Sequence, residues 1–246
     1  MEDKMDSMPC AREMPAELWV NGKKITTFLC TPSDLEDLAV GHLLTRGYIP
    51  DIREILDMAV DPESFVIRVS TKSRELSSLY SVSEMILSGC SAVSEFSDQI
   101  YRLKPEPSEF CTDLNSLKEL GTYMVEHGVI YEKTGGVHAA LLASGESRLV
   151  REDIGRHNAV DKAVGAAARA GLSFTRSALI TTGRVSLDMA LKTAAASIPV
   201  IGTLKYPSDL GVRLCEHYHI CIAAGILTRK PLVYTAADRI TGMETV

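Results

Sequence analysis

Apolar and polar residues alternate in two short runs near the amino terminus, and a helical spacing follows them. Residues 18–20 and 25–29 flank Asn21-Gly22, a pair that readily adopts the positive φ angles of a tight turn. The pattern predicts a β-hairpin. Beyond it, Thr31-Pro32 is expected to open a helix, with Thr31 as the capping residue.

The second half of the chain alternates regularly between strand-like and helix-like runs. Strands are predicted at residues 178–182, 199–203 and 219–224, and helices at 186–196 and 209–218. Repeated β-α units of this length imply a sheet with helices on both faces. The sequence therefore predicts an α/β fold with a mixed sheet between helices. Three further residues are predicted to cap helices: Asp113, Ser186 and Ser208.

Length and composition suit one large domain or one domain with an appendage. The chain has 246 residues and 46% hydrophobic content, which is enough for a sizeable core. Residues 71–110 lose periodicity and are rich in serine and proline, so a mobile segment is predicted there. We expect a smaller amino-terminal α+β subdomain over residues 1–112 and an α/β domain with the ligand site over 113–246, unless the two form one continuous domain.

The charge balance limits the classes of partner. A net charge of −6 and a pI near 5.6 argue against sequence-independent nucleic-acid binding, which requires a concentrated basic face. No apolar run approaches the roughly 18 residues of a membrane helix, and the first residues lack the apolar core of a signal peptide. We therefore expect a cytoplasmic protein that binds neither nucleic acid nor membrane.

Polar and charged residues surround Gly155, between a strand-like run and a helix-like run. Asp153, Arg156, His157 and Asn158 occupy this junction. Ligands of α/β proteins bind at the carboxyl ends of strands, where helix amino termini attract anions. We expect Asp153 and His157 to act as hydrogen-bonding, orienting groups rather than as a metal pair. The alternative is a helix start whose charges are simply solvated.

Similar polar junctions accompany other predicted strands. His138 follows two glycines and begins an apolar strand that should pair with residues 148–151, Gly183-Arg184 follows another strand, and residues 206–208 follow a third. If these strands are neighbours, the junctions converge on one sheet edge. The predicted result is an anion-accepting cleft, although Arg184 could equally be an ordinary solvated side chain. The predicted lining is Arg156, His157, Arg184 and Lys192.

Six cysteines are scattered through the chain without a Cys-x-x-Cys pair or a zinc-like spacing. We interpret Cys30, Cys215 and Cys221 as buried structural residues, and Cys10 lies in the terminus. Cys90, next to Gly89 in the segment without periodicity, is the thiol that a reaction partner could reach.

The motifs around these junctions resemble the FdhD family, the formate dehydrogenase accessory sulfur carriers. The resemblance rests on residues 134–140, 152–162 and 182–186, and it extends from about residue 13 to about residue 240. It implies a cytidine-deaminase-like mixed sheet. Cys90 occupies the first position of the family's Cys-x-x-Cys, whereas Val93 stands at the second.

The resemblance also implies a function and its partners. A cysteine desulfurase would load a persulfide onto Cys90, and the sulfur would pass to the molybdenum bis(guanine dinucleotide) cofactor of formate dehydrogenase. GDP should mimic part of that cofactor, and a homodimer is one possible assembly. The family's cofactor-holding turn corresponds here to a segment that lacks the family's double glycine: Gly225, Ile226, Leu227, Thr228, Arg229 and Lys230.

Two other functions stay open at this point. Because Val93 removes the second thiol, the protein could hold the cofactor as a chaperone without transferring sulfur. A zinc hydrolase of the deaminase kind is suggested by fold analogy alone, and it needs histidine and cysteine ligands at a spacing that this sequence lacks. We therefore expect no bound zinc.

Overall fold

The computed structural model describes residues 9–73, 101 and 103–242, and they form two mixed sheets and six helices. The predicted α/β class is confirmed. The strands are β1 (Met14–Val20), β2 (Lys23–Cys30), β3 (Ile55–Asp61), β4 (Val66–Thr71), β5 (His138–Ser144), β6 (Ser147–Asp153), β7 (Ser177–Thr181), β8 (Val200–Thr203), β9 (Cys221–Ala224) and β10 (Leu232–Thr235). The first sheet has the order β2-β1-β4-β3 and the second the order β10-β9-β8-β7-β5-β6. The helices are α1 (Leu35–Thr45), α2 (Leu114–Glu126), α3 (Val129–Thr134), α4 (Arg156–Arg169), α5 (Leu187–Ala195) and α6 (Asp209–His217).

The amino-terminal hairpin is confirmed. Strands β1 and β2 pair in antiparallel fashion, and Asn21 and Gly22 have φ angles of 51° and 81°. Two consecutive positive φ angles are those of a type I′ turn, whose twist matches the twist of the flanking strands. This hairpin places Thr31 beside the β6–α4 junction of the larger sheet.

The predicted helix caps have different outcomes. Asp113 accepts a hydrogen bond from the Ser116 N–H at 2.9 Å, and Ser208 accepts one from Gly211 at 3.3 Å, so both are confirmed. Ser186 stands at the predicted N-cap position of α5, but its side chain makes no cap hydrogen bond within the described residues. The Thr31 cap is wrong, because α1 begins only at Leu35. Thr31 instead binds the β6–α4 junction, where its hydroxyl accepts from the Ile154 N–H at 3.1 Å.

Helices cover both faces of the larger sheet, as predicted. Helices α4, α5 and α6 pack on one face, where α1 joins the same apolar core. Helix α2 covers the other face through Leu117 and Met124. One apolar core thus includes residues from both sides of position 113, such as Leu38 and Val164.

The strand directions bring the carboxyl ends of most strands of the larger sheet to one edge. Strand β5 is antiparallel to both β6 and β7, whereas β7, β8 and β9 run parallel. Strands β6, β7, β8 and β9 therefore all end at one edge, where β5 begins. Strand β10, antiparallel to β9, begins there too.

Candidate functional site: the cationic sheet edge

Basic side chains follow each of the four strands that end at this edge. We call this set the cationic edge: Arg156 and His157 after β6, Arg184 after β7, Lys205 after β8, Arg229 and Lys230 after β9, and His138 at the start of β5. The strand order confirms that the predicted junctions converge. Four strand spacings separate β6 from β9, so the edge is about 19 Å long at about 4.8 Å per spacing.

Two contacts connect neighbouring junctions. A Cβ atom built on Gly183 would lie 3.0 Å from the Cβ of Arg156, so the lack of a side chain at Gly183 lets Arg156 pack against this turn. At the other end, the N–H of Gly225 donates to the Lys205 carbonyl at 3.1 Å. In both contacts the two residues follow different strands. The junctions therefore touch one another, in addition to lying at the same edge of the sheet.

Arg156 presents an unused donor. Its Nε atom is buried and has no hydrogen-bond partner within the described part of the chain. A buried donor without a partner is costly. A bound anion would satisfy it, and the first backbone N–H groups of α4 lie beside it.

The pKa of His138 reports the positive charge at this edge. Burial lowers this pKa, and so do the nearby charges of Arg156, His157 and Lys205, while Asp153 acts in the opposite direction. The imidazole Nδ1 lies 3.1 Å from the Thr182 hydroxyl. Arg156 and Lys205 are both close enough to affect this histidine, so they create a local positive field in a chain of net negative charge.

Lys205 was not predicted as a site residue. It stands two residues after β8, a position much like that of Arg184 after β7. The sequence signal was therefore available, since the strand at 199–203 was predicted and a basic residue directly follows it.

Asp153 lies inside the junction rather than on its surface. Its carboxylate is 2.6 Å from the buried Lys162 Nζ and accepts hydrogen bonds from the N–H groups of Thr31 and Gly155 at 3.1 and 2.8 Å. The side-chain amide of Asn158 donates to it as well, at 3.1 Å. Asp153 thus fixes the start of α4, and it does not contact His157 in any hydrogen bond or ion pair of the described residues.

His157 contacts a different carboxylate. Its Nδ1 lies 3.0 Å from Asp188 Oδ2, on the first turn of α5. Burial would raise the pKa of Asp188, but the contact with His157 and the positive charges of Lys192 and Arg46 outweigh it and hold this pKa at about 2. Asp188 is thus ionised at neutral pH.

The prediction that Lys192 lines the cleft is wrong. The Lys192 side chain is 1% exposed, and its Nζ donates to both carboxylate oxygens of Asp161 at 2.7 and 2.8 Å. The Thr45 hydroxyl lies 3.2 Å from the same nitrogen. All of these groups are inside the α1, α4 and α5 layer, so Lys192 cannot reach a ligand at the surface.

The segment after β9 divides into a buried part and an exposed part. Gly225 has a φ angle of 60°, and its carbonyl accepts from the Thr228 N–H at 2.7 Å in a tight turn. Ile226 packs in the core beneath α2. Leu227, Thr228, Arg229 and Lys230 are exposed, so they are the members of the predicted segment that a ligand could contact.

The predicted acceptor, Cys90, lies outside the described residues. Cys30, Cys215 and Cys221 are buried, as predicted. Burial raises the pKa of all three thiols, to about 11 for Cys30 and about 12 for Cys221. Cys10 and Cys111 are exposed.

Three further observations concern other kinds of site. Among the described residues, no three histidine, cysteine or acidic side chains are grouped as a metal site would require. Within the same residues, no helix has both the length and the apolar character needed to cross a bilayer. A cavity of about 720 Å³, lined by residues such as Leu44, Phe174 and Ser197, shares no residue with the cationic edge.

Comparisons with known proteins agree on one family. Residues 11–241 match the FdhD/NarQ family. A sulfur carrier protein FdhD from Cupriavidus necator is 33% identical over 241 residues, covering 94% of this chain and 83% of the relative. The corresponding protein from Shouchella clausii is 29% identical, covering 94% and 90%. A crystal structure assigned to a formate dehydrogenase accessory protein from Desulfotalea psychrophila superimposes with a TM-score of 0.75 at 27% identity, covering 93% of this chain and 89% of that one.

Proposed function

Because the chain belongs to the FdhD/NarQ family, we propose that it is a sulfur carrier that serves formate dehydrogenase. It accepts a sulfur atom on Cys90 from a cysteine desulfurase. It holds the molybdenum bis(guanine dinucleotide) cofactor at the cationic edge, where the sulfur is delivered. The names of the relatives, sulfur carrier protein FdhD, support the first part.

The observation that carries the cofactor-binding part is the arrangement of basic residues along one sheet edge. Dinucleotides carry diphosphate groups, and arginine and helix amino termini are the groups that proteins use to bind them. Arg156 offers a buried Nε without a partner, and Gly183 leaves room for the Arg156 side chain. These residues therefore fit an anionic ligand.

The residues can be assigned along an extended ligand. Arg156, His157 and the start of α4 would hold one phosphate group, with Arg184 and Lys205 in the middle of the edge. Arg229 and Lys230 would contact the far end, about 19 Å away. When bound, the cofactor supplies the molybdenum atom that receives the sulfur.

The loading step needs one nucleophilic thiolate. Cys90 attacks the outer sulfur of the donor's persulfide, the donor's S–S bond breaks, and the donor leaves as a thiolate. A new S–S bond forms on Cys90, so the step has no net oxidation. Since Val93 replaces the family's second cysteine, no neighbouring thiol in this motif can displace the sulfur again.

The distance between the ends of the sheet is compatible with transfer from Cys90 to the cationic edge. Tyr101 contacts His217 at the end of α6, with ring centroids 4.7 Å apart, and this helix end lies at the opposite edge of the sheet. Cys90 precedes Tyr101 by eleven positions (101 − 90), a stretch that spans at most about 40 Å. A five-residue strand such as β7 covers only about 17 Å.

The test is to load the protein with sulfur from a cysteine desulfurase and free cysteine, and to count added sulfur atoms by intact-mass spectrometry. The wild type should gain one sulfur, and the Cys90→Ser variant should gain none. Cys10→Ser and Cys111→Ser are matched controls because both thiols are exposed, and both variants should load normally. Equal loading of Cys90→Ser and wild type would refute the carrier proposal. No loading of the wild type, together with intact guanine nucleotide binding, would favour the cofactor-holding chaperone.

A further inference from the structure

Tyr206 is an exposed aromatic residue in the middle of the cationic edge. It follows β8, between Lys205 and Pro207, and 51% of its surface is exposed. Strand β8 lies between β7 and β9, so one strand spacing, about 4.8 Å, separates its end from the strand ends that lead to Arg184 and Arg229. An aromatic ring therefore lies within a row of cations, and phosphate binding does not account for it.

The backbone on both sides of Tyr206 is held by neighbouring junctions. Before it, the Lys205 carbonyl accepts a hydrogen bond from the N–H of Gly225 at 3.1 Å. After it, the N–H of Ser208 donates to the Val185 carbonyl at 2.9 Å. These bonds come from the junctions after β9 and β7, so the backbone at Tyr206 is fixed from both neighbouring strands.

The Tyr206 ring extends from the end of β8 toward the turn after β9. A Cβ atom built on Gly225 would lie 3.5 Å from the Tyr206 hydroxyl and 3.3 Å from Thr228 Oγ1, so both hydroxyl groups lie on the same side of Gly225. Pro207 restricts the backbone of Tyr206 to extended conformations. Because the backbone is fixed and the hydroxyl lies beside this turn, holding the ring against a ligand costs little conformational entropy.

The combination of a ring and cations points to one class of ligand. Arginine and lysine attract phosphate groups, whereas an exposed aromatic ring offers a flat apolar face on which a nucleic acid base stacks. Nucleotides carry both a phosphate group and a base. A simple phosphate or a phosphorylated sugar would leave the Tyr206 ring unused.

We infer that a base of the bound guanine dinucleotide stacks on Tyr206, while the neighbouring arginines hold its diphosphate. The inference rests on the proposed function, since it names a further residue of the same site. Every base has a flat face, so stacking adds affinity without selecting guanine over adenine. Tyr206 should therefore distinguish nucleotides from phosphates, and not one nucleotide from another.

The experiment measures the affinity for GDP, ADP and pyrophosphate by isothermal titration. Tyr206→Ala should bind both nucleotides about five- to hundredfold more weakly than the wild type, as expected for the loss of one base–aromatic stack. Its affinity for pyrophosphate, which has no base, should not change. Tyr206→Phe retains the ring and should bind all three as the wild type does.

The matched control is Tyr101→Ala. Tyr101 is also an exposed tyrosine, at 43%, but it contacts His217 at the opposite edge of the sheet. Its removal should leave all three affinities unchanged.

A fluorescent variant reports stacking directly. The chain contains one tryptophan, Trp19 on β1 of the first sheet. In Tyr206→Trp, saturating GDP should quench the emission of the added indole, because a stacked base covers its face, whereas pyrophosphate should not. The wild type, with Trp19 alone, is the control for light absorbed by GDP. This measurement tests the inference even if Tyr206→Ala does not fold.

Four results would overturn the inference and leave the proposed function intact. They are wild-type nucleotide affinity in Tyr206→Ala, an equal loss of nucleotide and pyrophosphate affinity in that variant, nucleotide binding by Tyr206→Phe as weak as that of Tyr206→Ala, and unchanged emission of Tyr206→Trp at saturating GDP. Failure of the wild type to bind GDP at all would overturn both the inference and the proposed binding edge.

Discussion

At the scale of single residues, His42 lies beside the buried ion pair that Lys192 forms with Asp161. Its Nδ1 lies 3.4 Å from Asp161 Oδ2, while Lys192 occupies the same carboxylate at 2.7 Å. Burial lowers the pKa of His42, although the hydrogen bond to Asp161 opposes this. The ring is therefore neutral in the folded protein at neutral pH.

This environment predicts a pH-dependent stability. Below its usual pKa of 6.5, His42 takes up a proton in the unfolded chain but stays neutral in the folded chain. The unfolded state then binds more protons, so the free energy of unfolding decreases as the pH falls below 6.5. His42→Gln should lose part of this decrease between about pH 7 and about pH 5. Urea denaturation at several pH values measures it.

A matched control is available directly after α2. His127 is exposed, so His127→Gln should retain the pH dependence of the wild type. If His42→Gln and the wild type lose stability equally on acidification, His42 is not protected from protonation. His138, whose pKa is also lowered, accounts for a dependence that persists in His42→Gln.

The sequence predicted which residues lie at the junctions better than it predicted which side chains they contact. The glycine-bearing junctions and their basic residues follow from local order along the chain. The sequence does not show that Lys192 would be neutralised by Asp161, 31 positions away, because charged residues are rarely buried and their pairing depends on the tertiary fold. For the same reason His157 was not matched to Asp188.

At the scale of elements, helices α1 and α4 cross in backbone contact. A Cβ atom on Gly41 would lie 1.7 Å from the Asp161 carbonyl oxygen, and one on Gly165 would lie 1.9 Å from that of Asp37. Arg169 Nη1 adds an ion pair to Asp37 at 2.6 Å. The crossing brings Asp161 and Thr45 within hydrogen-bonding distance, at 2.7 Å.

Gly165→Ala is therefore expected to destabilise the protein. Alanine is the better helix former by up to about 1 kcal/mol, but its methyl group would overlap backbone that cannot move aside. Overpacking of this kind typically costs about 1–3 kcal/mol and occasionally more, so the net change in the free energy of unfolding should be negative. Thermal or urea denaturation measures it.

The control for this prediction is Gly136→Ala. An added Cβ there would meet its nearest atom at 3.4 Å, an ordinary contact, so stability should change by less than about 0.5 kcal/mol. A Gly165→Ala protein as stable as the wild type would mean that the two helices can separate without cost.

Element prediction succeeded where periodicity was regular. The hairpin and the β-α units from β7 to β9 lie within a few residues of their predicted bounds. Strands β3 and β10 and helix α3 were not predicted. Strand β3 has no clean alternation of buried and exposed residues. Helix α3 contains only six residues, too few for a periodic signal. Strand β10 lacks the continuous buried run that marks the equally short β8 and β9.

At the scale of the whole molecule, basic residues are concentrated at one edge of the larger sheet, although the chain as a whole is acidic. The chain has a net charge of −6, yet the ends of four strands of one sheet each lead to a basic side chain at the same edge. The sequence was sufficient for the α/β class and for this convergence, because parallel strands separated by helices must end on one side. The boundary at residue 113 stays a prediction, as does the homodimer.

This placement predicts that guanine nucleotides bind at the cationic edge. GDP should bind the wild type more tightly than inorganic phosphate does, and the Arg184→Ala and Arg229→Ala variants should each bind it more weakly. Losing one hydrogen bond to a charged group costs about 1.5–3 kcal/mol, or roughly ten- to hundredfold in affinity. Isothermal titration at low salt measures the dissociation constants after circular dichroism has shown that each variant is folded.

The place of an arginine on the sheet, rather than its charge alone, should determine how much its removal weakens GDP binding. Arg148 is exposed at the start of β6, which is the opposite edge, so Arg148→Ala removes the same charge and should bind GDP as the wild type does. Raising the salt from about 0.1 to about 1 M shortens the Debye length from about 10 to about 3 Å. The affinity gap between wild type and Arg184→Ala should therefore narrow at high salt, because Arg184 is solvent-exposed. If Arg148→Ala weakens binding as much as the two edge variants do, the attraction depends on net charge, and the nucleotide does not bind at the cationic edge.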